Sequence, residues 1–241
     1  MDDLRRGSFG SARGVAADAW MLFLDELDGR ALRERCLPWL ASDEVARYRA
    51  LSTDRLQLRY LASIALCRRS LSQYAPVDPP AWRFRRSVSG KPAIAAPLQR
   101  PSLRFSLSRT DGLAVCLVTS AGAAGVDVES TSRTVDTAAV ARDFLSAAQR
   151  QQLETLPPVE QTRSLFKLWV LHEAYVKGTG RGLGATPERV RVGFGAGGAP
   201  LPMGNWRLFF YEPSATHVAA AAIRPRDGAD VTVTWLRASL F

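Results

Sequence analysis

Histidine, lysine and cysteine are all scarce in this sequence. Among 241 residues only His172 and His217 are histidine, and Cys36, Cys67 and Cys116 show no C-x-x-C spacing. So few soft ligands argue against a structural zinc site. An odd number of cysteines set in apolar segments reads as buried free thiols, not as a disulfide framework. No apolar run approaches the roughly 18 residues that would span a bilayer. Residues 1–14 lack the apolar stretch of a secretory signal and read as a flexible tail. There is no G-x-S-x-G elbow, and two histidines leave little from which to build a Ser–His–Asp hydrolase. The expectation is a cytoplasmic protein with no membrane segment.

Positive charge, by contrast, is abundant. The net charge is +9, which favours acidic partners: nucleic acid, phosphorylated small molecules or acidic proteins. Of 32 Lys plus Arg, only Lys91, Lys167 and Lys177 are lysine. Codon bias alone accounts for such a skew. Where arginine is the default cation, though, a retained lysine can mark a site needing a compact ammonium.

The segment 18–24 reads as a strand, and 31–40 as a short helix ending near Pro38. Residues 42–75 open on a Ser-Asp-Glu start signal and carry Leu58, Leu61, Ala62, Ala65 and Leu66 at helical spacing, which predicts two arginine-rich helices. Most of those arginines read as a solvated face, while Arg55 and Arg59, one turn apart, could share an anion. Strands are predicted near 103–108 and 113–119. A small-residue linker, SAGAAG (120–125), marks a boundary between lobes. One helix is predicted around 136–155 and another over 159–180, stopped by Gly178 and Gly180. The remainder, including VRVGF (190–194), reads as short antiparallel strands. The fold class is therefore α+β: two similar lobes, each a small antiparallel sheet packed with helices, with a tail at 1–14, an N-terminal lobe at 15–122, a C-terminal lobe at 123–241 and the active site between them.

The chemistry starts at GVDVES (125–130). Residues i and i+2 of a strand share a face, so Asp127 and Glu129 lie about 6.6 Å apart on one side while Val126 and Val128 face the core. Two such carboxylates raise each other's pKa unless a cation lies between them. Oxygen ligands without histidine suit Mg²⁺, although a plain solvent-facing edge strand would look the same. The helix 159–180 adds Trp169, Glu173 and Lys177 at i, i+4, i+8. Glu173 can supply a third carboxylate, and Lys177 can reach a phosphate held by the ion. An ordinary surface Glu–Lys pair is the bland alternative.

Four motifs occur together and in order: GKP (90–92), FSLSRT (105–110), GVDVE (125–129) and WVLHEAYVK (169–177). In this the chain resembles the 4′-phosphopantetheinyl transferases of the long, monomeric, two-lobed type. The resemblance implies transfer of phosphopantetheine from coenzyme A to a serine of an acyl or peptidyl carrier protein, with release of adenosine 3′,5′-bisphosphate. By matching motif, Asp127, Glu129 and Glu173 would hold Mg²⁺, with Asp127, Glu173 and Lys177 as the catalytic groups. Glu173 would be the general base, and Lys177 would stabilise the leaving phosphate. Lys91, Arg55, Arg59, Ser108, Arg109, His172 and Lys177 would face coenzyme A.

Four positions depart from the family pattern. Ser106 and Arg109 stand where asparagine and histidine are usual, His172 replaces a helix lysine, and Gln149 occupies a customary glutamate position. The implied partners are coenzyme A and an acidic carrier protein of fatty acid, polyketide or nonribosomal peptide synthesis, with no nucleic acid and no membrane. The alternatives are a Mg²⁺-dependent nuclease or phosphoesterase, and a catalytically weak coenzyme-A-binding relative.

Overall fold

The structure is a computed structural model that describes residues 15–87, 90–98, 102–180 and 192–241. The expected tail at 1–14 and the first two residues of VRVGF lie outside the described residues.

The chain enters on strand β1 (Val15–Phe23) and passes to helices α1 (Gly29–Cys36), α2 (Ser42–Arg49) and α3 (Asp54–Ser72). The Thr53 hydroxyl caps α3 by accepting the Leu56 N–H at 3.3 Å. The buried face of α3 includes Leu61, Ala65 and Leu66, three of the periodic positions. Not every arginine of this region is solvated. Arg68 is fully buried; it pairs with Glu44 of α2 and donates to the Trp82 carbonyl at 2.6 Å. A two-stranded hairpin of β2 (Phe84–Arg86) and β3 (Pro92–Ile94) follows.

Strands β4 (Arg104–Thr110) and β5 (Leu113–Thr119) come next, and β6 (Gly122–Ser130) begins almost at once. The expected linker SAGAAG is thus mostly strand, because its small residues face packed layers rather than solvent. The single helix expected at 136–155 is two, α4 (Thr137–Phe144) and α5 (Ala147–Glu154). Ser146 breaks them and caps the second by accepting the Gln149 N–H at 3.3 Å. Helix α6 (Pro158–Thr179) starts with proline in its first turn and ends on Gly180, whose φ of 71° is left-handed.

Strands β7 (Arg207–Ser214), β8 (His217–Pro225) and β9 (Val231–Arg237) close the chain. Two larger sheets result, in orders β4-β5-β1-β9 and β6-β8-β7. The architecture is α+β, small and mainly antiparallel sheets packed with helices. One strand departs from the sequence expectation. β9 lies within the stretch assigned to the second lobe, yet it pairs in parallel with β1 of the first sheet.

Alternation along the strands builds the layers. In β5, Ala114, Cys116 and Val118 join the cluster around α3, while Leu113, Val115 and Leu117 pack against Val126 and Val128 of β6. In β8, Ala219, Ala221 and Ile223 face the same way as those valines, and Val218, Ala220 and Ala222 pack under α6. The stack is helix, sheet, sheet, helix. All three cysteines are buried free thiols.

Candidate active site

Asp127 and Glu129 occupy the α6 side of β6, opposite Val126 and Val128. Gly125 explains how the helix comes so close. A Cβ there would lie 2.1 Å from the Ala174 carbonyl and 2.3 Å from the Gly178 nitrogen, so helix backbone rests directly on strand backbone. The contact sets Glu173 and Lys177, each immediately before one of those two helix residues, beside the acids two and four residues beyond Gly125.

A third element completes the site. Every second residue of β4 from Ser106 carries a hydroxyl, and each one meets β6. Ser106 Oγ accepts the Val126 N–H at 3.1 Å. Ser108 Oγ donates to Asp127 Oδ1 at 2.8 Å. Thr110 Oγ1 donates to Glu129 Oε2 at 3.1 Å and accepts the Ser130 N–H at 3.3 Å. The free edge of the second sheet is thereby satisfied by side chains of the first. Ser106, where the family pattern has asparagine, works here as a seam residue.

Lys177 Nζ donates to Asp127 Oδ1 at 2.5 Å and to Ser108 Oγ at 3.0 Å, so α6, β6 and β4 meet at one carboxylate. Arg133, on the turn after β6, donates to Glu129 Oε2 at 2.9 Å. Burial, and then the Asp127 charge, raise the pKa of both Glu129 and Glu173. Lys177 opposes that rise at Glu173, and Arg133 opposes it at Glu129.

Among the described residues no group of three or more His, Cys, Asp or Glu is drawn tightly enough to hold a metal ion. The donor set nonetheless suits a hard divalent cation. Burial and the neighbouring carboxylates raise the proton affinity of Glu129 and Glu173, and the buried Oδ2 of Asp127 has no hydrogen-bond partner. The backbone positions carry this fit, since the present side-chain orientations give Asp127 and Glu129 each a protein cation.

Other expected residues land elsewhere. Lys91 turns inward: its ammonium donates to the Ala124 carbonyl at 2.8 Å and the Lys177 carbonyl at 2.7 Å. It thereby caps the last turn of α6, and burial with the nearby Arg104 lowers its pKa to about 8. Arg55 and Arg59 do share an anion, but it is Asp111 of the β4–β5 turn, at 3.6 and 2.7 Å. His172 is buried against Phe144, its ring nitrogens have no hydrogen-bond partner, and burial lowers its pKa, so it stays neutral and makes no cationic contact. Gln149 serves local structure. Its carbonyl accepts the Ser146 N–H at 3.0 Å, and its amide donates to the Val192 carbonyl at 2.7 Å.

Arg109 lies on the other face of β4 from Ser108. It stacks over Tyr60 at 5.4 Å and borders a cavity of about 480 Å³, together with Arg47, Arg85 and Arg86. The sequence reading missed Arg133, Thr110, Asp111 and His217. His217 ties the β4–β5 turn to β8, with Nε2 2.8 Å from the Asp111 carbonyl oxygen and Nδ1 2.8 Å from Ser214 Oγ. The alternation of hydroxyls in FSLSRT was the one available signal, and it pointed to Thr110.

The fold brings paired acids and a lysine together at the seam between two sheets, with an arginine-lined cavity on the far face of β4. The family model described as the 4′-phosphopantetheinyl transferase superfamily matches residues 123–224, the stretch that carries both acids and α6. The 4′-phosphopantetheinyl transferase HetI of Nostoc sp. is 28% identical over 207 residues, covering 85% of this chain and 86% of that protein. The 4′-phosphopantetheinyl transferase psf-1 of Bacillus pumilus is 30% identical over 66% of each chain. The 4′-phosphopantetheinyl transferase Sfp of Bacillus subtilis is 24% identical over 67% of this chain and 70% of its own. This chain belongs to the 4′-phosphopantetheinyl transferase superfamily.

Proposed function

We propose that the protein transfers the 4′-phosphopantetheine arm of coenzyme A to a serine of an acyl or peptidyl carrier protein, with Mg²⁺, releasing adenosine 3′,5′-bisphosphate. The observation that carries this reading is the meeting of Lys177, Ser108 and Asp127 from three separate elements. It is a charge-handling centre at a seam, with an arginine-lined cavity of nucleotide size on the far side of the same strand.

In this reading Asp127, Glu129 and Glu173 hold Mg²⁺, which when bound neutralises charge on the pyrophosphate. Arg109 and its neighbouring arginines grip the nucleotide's phosphate, bidentately where geometry allows. Glu173 accepts the proton of the acceptor serine hydroxyl as general base. The serine oxygen bonds to the β-phosphorus as the bond from that phosphorus to the bridging oxygen breaks. The electron pair leaves with adenosine 3′,5′-bisphosphate, and the Lys177 ammonium stabilises its new charge. The protein works as a cytoplasmic monomer.

The test is intact mass of an apo carrier protein incubated with the protein, coenzyme A and Mg²⁺. One phosphopantetheine should be gained, and Asp127→Ala and Glu173→Ala should each slow the gain by about 10²–10⁴-fold. If several carrier proteins gain no mass while coenzyme A still binds, the reading is wrong and a binding-only relative is favoured.

A further inference from the structure

Glu129 is an unusual candidate ligand, because the protein supplies a cation for it from its own flank. Arg133 lies four residues along on the turn that follows β6 and donates to Glu129 Oε2 at 2.9 Å. The two partners differ sharply in exposure. The Glu129 side chain is 15% exposed and held by Thr110, whereas the Arg133 side chain is 49% exposed. The carboxylate is therefore fixed and its cation is free to swing outward. On the inner side, Lys177 takes Asp127 in the same manner. The charged groups that act on Glu129 are thus Asp127 beside it, Glu173 from α6 and Arg133 from the turn.

We infer that Arg133 is a built-in competitor for the divalent cation at Glu129, one that sets how much metal the site needs before it is charged. The inference rests on the Mg²⁺ reading above. A guanidinium on Oε2 of Glu129 draws on the same negative charge that a metal ion would use and repels that ion, so binding of the metal beside it weakens the ion pair and favours the guanidinium turning outward. What the guanidinium loses is the energy of a half-exposed ion pair, a small quantity. Arg133 consequently weakens metal binding without preventing it, and when displaced it becomes a free cation at the mouth of the site. Lys177 cannot play the same part, since it belongs to the proposed catalytic set and its removal would change the chemistry as well.

Binding of Mn²⁺, followed through the electron paramagnetic resonance signal of the free ion, tests this with coenzyme A present and absent and with no carrier protein. Arg133→Gln should tighten Mn²⁺ binding by about three- to fivefold. Arg133→Lys should leave the affinity near that of the wild type. In a Glu129→Gln background, Arg133→Gln should have no effect. Loss of a merely structural arginine would weaken binding, so the direction of change separates the two roles. Unchanged or weaker binding in Arg133→Gln overturns the inference and leaves the metal site standing. Failure of the wild type and every variant to bind Mn²⁺ in either condition overturns both the inference and the Mg²⁺ assignment.

Discussion

Glu173, the proposed base, illustrates how such a role can cost stability. Burial and the neighbouring acids raise its pKa, so the folded chain holds that proton more tightly than the unfolded chain does. The sign of the pH dependence follows: the contribution is full below the unfolded carboxyl range and is lost as pH rises through the folded value. Glu173→Gln removes the ionisation and should make the protein more stable at pH 7 by about 1 kcal/mol, the size usual for relieving a strained functional site. The gain should vanish toward pH 4, while transfer activity is lost at both. Urea unfolding of wild type and variant across that range checks it, and equal pH dependence in the two would refute the assignment. The acids and the helix face of Glu173 and Lys177 were legible in the sequence, because periods of two and of 3.6 fix which residues share a side. The partners of Lys91, Arg59 and His172 were not. A motif gives a residue's place on an element, whereas its contacts depend on which element packs opposite. The Lys91 ammonium, for instance, ends on carbonyls 33 and 86 residues away.

The crossing of α6 over β6 decides whether the site exists. Gly125 and Gly178 form a notch in which helix and strand touch by backbone, with Trp206 packed on the outer side of Gly178. Gly125→Ala places a methyl group against the Ala174 carbonyl, where no flexible side chain can yield. It should destabilise the protein by about 3 kcal/mol and lower the transfer rate further than that loss explains, because helix and acids move apart. Denaturant titration together with kcat under fully folded conditions separates the two effects; a stable, fully active variant would contradict the packing argument. In the sequence this glycine reads as part of a strand, and nothing local reveals that a helix rests on it. The strands themselves were largely legible from alternation. The pairing of β9 with β1 was not, since 207 residues of unrelated pattern separate Phe23 from Val231 and either sheet could have accepted a short β-branched strand.

At the scale of the whole molecule the net charge of +9 is a statement about encounter rather than fold. Among the described residues no helix is long and apolar enough to cross a membrane. If the acceptor is an acidic carrier protein, the on-rate should fall about tenfold or more as salt is raised from 0.05 to 0.5 M. Stopped-flow association with a labelled carrier measures it, and a salt-independent on-rate would remove electrostatic steering from the account. The seam between the two sheets bears on a different kind of measurement. The amides of Val126 and Ser130 are held by hydroxyls of the facing sheet, not by a neighbouring strand of their own. Separation of the sheets would expose these two protons to solvent while the ladder between β6 and β8 stayed shut. Their deuterium uptake, compared with that of residues inside the ladder, would time the breathing of the catalytic seam apart from global unfolding.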